Sequence, residues 1–121
     1  MDASITIELM ISPDKFHLSE IPQFQIGIKV SNSHLQEIGF DFAETVLLVN
    51  QKRSIAWDLA VQNGTIVNTK IPPLGNKTLQ WALGEALFET PGTYKLELIA
   101  GSQKLQRTVT VQPNKLKNEP V

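Results

Sequence analysis

The chain has no cysteine. That excludes a disulfide framework, a thiolate zinc site, an iron–sulfur cluster and a cysteine nucleophile. It also has no run of the roughly 18 apolar residues that a membrane-spanning helix requires. The longest apolar run, Val46-Leu47-Leu48-Val49, suits a buried strand. Neither sign of charge prevails, with 11 Lys and Arg against 12 Asp and Glu. The electrostatic grip needed for nucleic acid or an anionic membrane surface is therefore missing, and neither nucleic-acid binding nor membrane insertion is expected. The start, Met1-Asp2-Ala3-Ser4, has neither the cationic opening nor the apolar block of a secretory leader. Cytoplasmic placement is the expectation, with secretion as the alternative if a leader has been removed.

What the chain does have is period two. Its 121 residues make one ordinary domain. Ile5, Ile7, Leu9 and Ile11 alternate with Ser4, Thr6, Glu8 and Met10, and Phe24, Ile26, Ile28 and Val30 alternate with Gln23, Gln25, Gly27 and Lys29. Ile38, Phe40 and Phe42 share a face, and Val46 to Val49 is apolar on both faces, as a central strand would be. Ile55, Trp57, Leu59 and Val61 alternate in their turn, and Asn63-Gly64 follows as a hairpin signal, with a returning strand at about Thr65 to Ile71. Leu79, Trp81 and Leu83 form another strand, then Tyr94, Leu96, Leu98 and Ala100, then Leu105, Val109 and Val111. Glu85 to Glu89 has room for one helical turn. Arg107 falls on the apolar phase of the last strand, a violation that a bulge or a sheet edge would resolve.

Eight or nine short strands with a turn about every ten residues predict an all-β domain. The leading architecture is an immunoglobulin-like antiparallel β-sandwich over 1–112, with a flexible tail at 113–121; a small β-barrel is the alternative.

The search for chemistry returns little. His17 and His34 fall in loops and in no metal-ligand spacing. The serines include no nucleophile elbow, and no pair of carboxylates is placed across a cleft by the strand pattern. Asp41 and Asp58 are read as outward-facing. Gly75, Gly84, Gly92 and Gly101 sit singly in turns, so no Gly-rich phosphate-cradling loop is expected. Lys104, Arg107, Lys115 and Lys117 form only a modest basic cluster. No catalytic residue, metal site or cofactor is expected, and the chain reads as a non-enzyme. Trp57 and Trp81 lie on the apolar phase of their strands and are assigned to the core; exposed, they would make a carbohydrate platform.

Several stretches look familiar. Leu18-Ser19-Glu20-Ile21-Pro22, followed by Phe24-x-Ile26-x-Ile28-x-Val30-x-Asn32, is similar to the opening of many bacterial immunoglobulin-like domains. Phe40-Asp41-Phe42, then Leu47-Leu48-Val49, then Trp57, resembles a stretch of the intracellular proteinase inhibitor family of bacilli (the BsuPI type). Leu74-Gly75-Asn76, Trp81 and Thr90-Pro91-Gly92-Thr93-Tyr94 resemble that family's later turn, tryptophan strand and terminal strand. The resemblance implies an immunoglobulin-like fold and an inhibitory activity, and it transfers no reactive residue.

The resulting expectation is a protein-binding module, with a protease as the most specific partner and a structural, assembly or adhesion module as an alternative. A rigid sandwich leaves its connectors to do the recognising, and a proline-stiffened loop loses little entropy on docking. The loops best stiffened by proline are Ser12-Pro13-Asp14 and Ile71-Pro72-Pro73-Leu74-Gly75. The second is the candidate site, with Leu74 as the anchor.

Overall fold

Residues 5–62 and 69–114 are described by a computed structural model. The chain runs β1 (Ile5–Ser12), β2 (Lys15–His17), a 3₁₀ segment (Leu18–Gln23), β3 (Gln25–Asn32) and β4 (Ile38–Phe40). A second 3₁₀ segment (Phe42–Glu44) leads to β5 (Val46–Val49), β6 (Lys52–Arg53) and helix α1 (Ile55–Val61). Then come β7 (Thr69–Ile71), β8 (Asn76–Trp81), a short helix α2 (Gly84–Leu87), β9 (Gly92–Ala100) and β10 (Gln103–Gln112).

The strands form an all-β sandwich rather than a closed barrel. One sheet has the order β1-β3-β8; the other has the order β2-β10-β9-β5-β6; β4 and β7 make a separate pair. Strand alternation sends every second side chain inward. Cross-strand register places Leu9, Ile28 and Leu79 in one row of the first sheet, and Leu47, Leu98 and Leu105 in a row of the second. These rows meet in a single core, closed by an aromatic cluster in which Phe24 lies 5.0 Å from Phe88 and 5.5 Å from Phe16 between ring centroids.

Four sequence expectations need correction or refinement. The first is Ile55 to Val61, which is a helix and not a strand. Apolar residues at every second position put Trp57 and Val61 on one helical face and Ile55 and Leu59 on the other, because steps of two advance about 200°. Trp57 and Val61 are buried, whereas Ile55 and Leu59 are 64% and 71% exposed. Ser54 starts the helix, its side-chain oxygen accepting from the Trp57 N–H at 3.1 Å. Trp57 then donates through Nε1 to Thr45 Oγ1 at 3.0 Å and packs edge-on against half-buried Trp81, ring centroids 5.1 Å apart. Asp58 accordingly sits on a helix and accepts from Arg53 Nε at 2.7 Å.

The second correction is that Phe42 belongs to a 3₁₀ segment after β4 has ended, with Asp41 capping it by accepting from Ala43 N at 3.0 Å. Third, β10 pairs with β9 in unbroken register, so Arg107 is not explained by a bulge. Fourth, β5 does lie inside its sheet, between β9 and β6, but only Leu47 of Val46–Val49 is buried; the other three are half-covered. The Asn63-Gly64 hairpin and the first part of its returning strand lie outside the described residues, as do residues 115–121. Pro113 and Asn114 continue alongside the start of the first 3₁₀ segment, in the parallel sense of β10 and β2, and Ser19 N donates to Asn114 Oδ1 at 2.6 Å.

Candidate functional site

The candidate loop forms one end of the sandwich, between β7 and β8. Ile71 is buried and pairs with Ile38 across β4–β7. Pro72 and Pro73 are exposed, Leu74 is 66% exposed, and Gly75 is half-buried. Gly75 N donates to Pro72 O at 3.0 Å, closing a four-residue turn. Pro73 supplies the fixed φ of its second position. Leu74 occupies the third, with φ of 57°. That left-handed conformation normally goes to glycine or asparagine and costs a larger L-residue about 1–2 kcal/mol. Gly75 is needed for close approach: a Cβ there would stand 2.8 Å from Pro72 Cγ.

A neighbouring loop, between β3 and β4, locks the turn in place. Leu74 N donates to His34 O at 3.0 Å. Asn32, at the end of β3, is buried beneath both loops. Its Nδ2 donates to Gln36 O at 2.8 Å, Pro72 O at 3.1 Å and Ile71 O at 3.2 Å. Its Oδ1 accepts from His34 N at 2.8 Å, and its backbone N–H donates to Gly75 O at 2.8 Å. One side chain thus gathers carbonyls from both loops, with the bond to Ile71 O in the interior and those to Gln36 O and Pro72 O at its margin. The second loop carries Leu35, which is 80% exposed. Two exposed leucines therefore stand on two loops joined by a hydrogen bond and by a shared buried amide.

The sequence located Leu74 but not its partners. Asn32 and Leu35 were missed because a strand-end asparagine before Ser33 and His34 reads as ordinary turn chemistry. The exposed pair Ile55 and Leu59 on α1 was missed for the opposite reason, since strand alternation would have buried them with Trp57. The alternative loop at Ser12-Pro13-Asp14 serves the fold: Thr110 N donates to Asp14 O at 2.9 Å, carrying the chain from one sheet to the other.

His17 Nδ1 lies 3.0 Å from Pro113 O, and its backbone N–H donates to Glu20 Oε1 at 2.7 Å. No group of three or more potential metal ligands converges among the described residues. No helix among them is long and apolar enough to cross a membrane. Glu97, buried on β9, lies 3.1 Å from Lys104 Nζ, and that hydrogen bond is the main reason its carboxyl titrates below its ordinary value. The Asp58 hydrogen bond raises the Arg53 guanidinium in the same manner.

No family model matches the chain. No curated protein matches it. Among solved structures it is similar to part of a β-glucosidase from Erythrobacter marinus, with a TM-score of 0.51 and 10% identity. The match covers 89% of this chain and 15% of the glucosidase chain, so the chain spans a small fraction of that protein's length. At that identity the likeness concerns the fold.

Proposed function

We propose that this chain is a non-enzymatic, immunoglobulin-like protein-binding module whose contact point is the Leu74 turn. One observation carries the reading: an exposed leucine is held in a backbone conformation that costs a leucine free energy, on a turn pinned from below by a buried asparagine. Strain of that kind persists only where the surroundings over-determine it, and it concentrates at sites of recognition. A leucine displayed on an immobile turn enters an apolar pocket with little ordering left to do. Leu35 extends the apolar contact from the adjoining loop.

The most specific form of this reading is a proteinase inhibitor, in keeping with the resemblance to the BsuPI-type family. Leu74 stands exposed at the third position of a tight turn whose second position is fixed by Pro73, and in this reading its side chain is what a protease pocket would take. Titration of the protein against a panel of serine and cysteine proteases tests it. Inhibition that disappears on Leu74→Gly supports the proposal; absence of inhibition at micromolar protein removes the inhibitory form. Inhibition unaffected by Leu74→Gly removes the turn as the contact point.

A further inference from the structure

We infer that the cleft between β1 and β10 is a second docking site, one that accepts an extended peptide strand bearing a carboxylate opposite Arg107. The inference is independent of the Leu74 turn and uses a different face of the molecule.

The cleft follows from how the sheets end. β1 is the outer strand of the three-stranded sheet, and β10 is covered on its outer side by β2 only at Thr110, Val111 and Gln112. Among the described residues, no strand lies beside the earlier part of β10. Thr110 N points to that outer side, where it meets Asp14 O. Alternation along an unbroken strand aims the backbone groups of Gln106 and Thr108 the same way. On the facing wall, the carbonyl of Leu9 points outward from β1, since it accepts from β10 and not from β3. Between these edges lies a cleft of about 630 Å³, lined by Leu9, Ile11, Asp14, Gln106, Arg107 and Thr108, among others. Arg107 crosses this cleft, and β2 flanks β10 just beyond it, at Thr110 to Gln112.

Arg107 sets the chemistry of the occupant. Its Nε donates to Leu9 O at 3.2 Å, a neutral acceptor. No carboxylate among the described residues forms an ion pair with it. Asp14 lines the same cleft without reaching it. A guanidinium presents several donors in a planar fork that matches a carboxylate. A peptide strand added to the edge of β10 thus gains ladder hydrogen bonds at Gln106 and Thr108, and its carboxylate offers Arg107 a charged acceptor in place of, or beside, the neutral carbonyl of Leu9. A second copy offering the same edge would bring another Arg107 into the slot, and like charge disfavours it.

The test uses the intact chain and fluorescein-labelled peptides of alternating Val and Thr, with a central Glu or a central Gln. The Glu peptide is expected to bind saturably by anisotropy and to slow amide exchange at Gln106 and Thr108. Replacing Glu by Gln is expected to weaken binding about tenfold. Arg107→Gln should erase that difference, with the near-ultraviolet signal of the two tryptophans reporting an intact fold, and Leu74→Gly should leave it unchanged. Equal affinity for the Glu and Gln peptides, absence of saturable binding, or protection confined to another strand edge would overturn the inference. If Arg107→Gln does not fold, the comparison of the two peptides on the unmodified chain still decides.

Discussion

Arg107 and Leu9 are joined across the open side of the sandwich, guanidinium Nε to carbonyl oxygen at 3.2 Å. Gln103 repeats the stitch with Ile5 O at 3.4 Å, at the same sequence separation of 98. Two inward positions of β10 thereby serve the outward carbonyls of β1 that no strand pairs. Arginine in the apolar phase is the means by which one sheet edge is tied to the other, its charged end remaining in contact with water. Arg107→Leu joins the apolar phase of Leu105 and Val109 yet should lower stability by about 1 kcal/mol, because Leu9 O loses its donor. Urea unfolding reads this out, and a leucine variant more stable than the parent would contradict it.

Leu74→Gly should move in the other direction. Relief of the left-handed leucine outweighs the entropy glycine adds to the unfolded chain, for a net gain of about 0.5–1 kcal/mol. The same substitution removes the proposed anchor. A variant both more stable and unable to bind is the expected signature; a loss of stability would show that Leu74 packs on the fold instead of facing a partner.

Asn32 offers a sharper probe of the tip. Asn32→Asp keeps the shape and the bond from His34 N but turns the Nδ2 donor into an oxygen facing the carbonyls of Gln36, Ile71 and Pro72. The cost should be at least about 2–3 kcal/mol, larger than for Asn32→Ser, since it opposes buried acceptors as well as unpairing them. Thermal melts of the two variants settle the order.

The acid behaviour of Glu97 can be given a sign. Its carboxyl titrates lower in the folded chain than its ordinary value of 4.5, chiefly through the Lys104 hydrogen bond, with smaller help from the charges of Lys104 and Lys95 and from Gln106, and against desolvation. The folded state therefore binds fewer protons than the unfolded state as pH falls past 4.5. The stabilisation is complete above that pH and is lost as pH drops through the lowered folded value. Melting temperature should fall in that window for the parent and stay flatter for Glu97→Gln. Parallel curves would show that the pair contributes nothing.

Helix α1 makes the most discriminating prediction about the fold. As a strand, Ile55 and Leu59 would share the buried face with Trp57, and a charge at either would unfold the chain. As a helix, they face solvent. Ile55→Glu and Leu59→Glu should each change stability by less than about 0.5 kcal/mol, whereas Trp57→Ala should cost about 3–5 kcal/mol.

The amino-acid sequence by itself determined the layers and most of the core. Alternation of apolar residues in β1, β3, β9 and β10 is a local property of each segment, so Ile7, Leu9, Ile28, Leu96, Leu98 and Val109 were legible without a structure, whereas the burial of Glu97 between two of them was not. The turn at Leu74 was legible too, because two prolines and a glycine announce it. Tertiary structure alone decided three things. It chose helix over strand at Ile55–Val61, where an apolar residue at every second position satisfies either geometry in part and the cap from Ser54 and the pocket beside Trp81 break the tie. It gave Leu74 a left-handed backbone, which depends on Asn32, 42 positions away in the chain. And it turned Arg107 from an exception into a tie between sheets, because the carbonyl it serves belongs to a strand at the opposite end of the sequence. Periodicity records which way a side chain points; only the assembled sheets determine what it meets there.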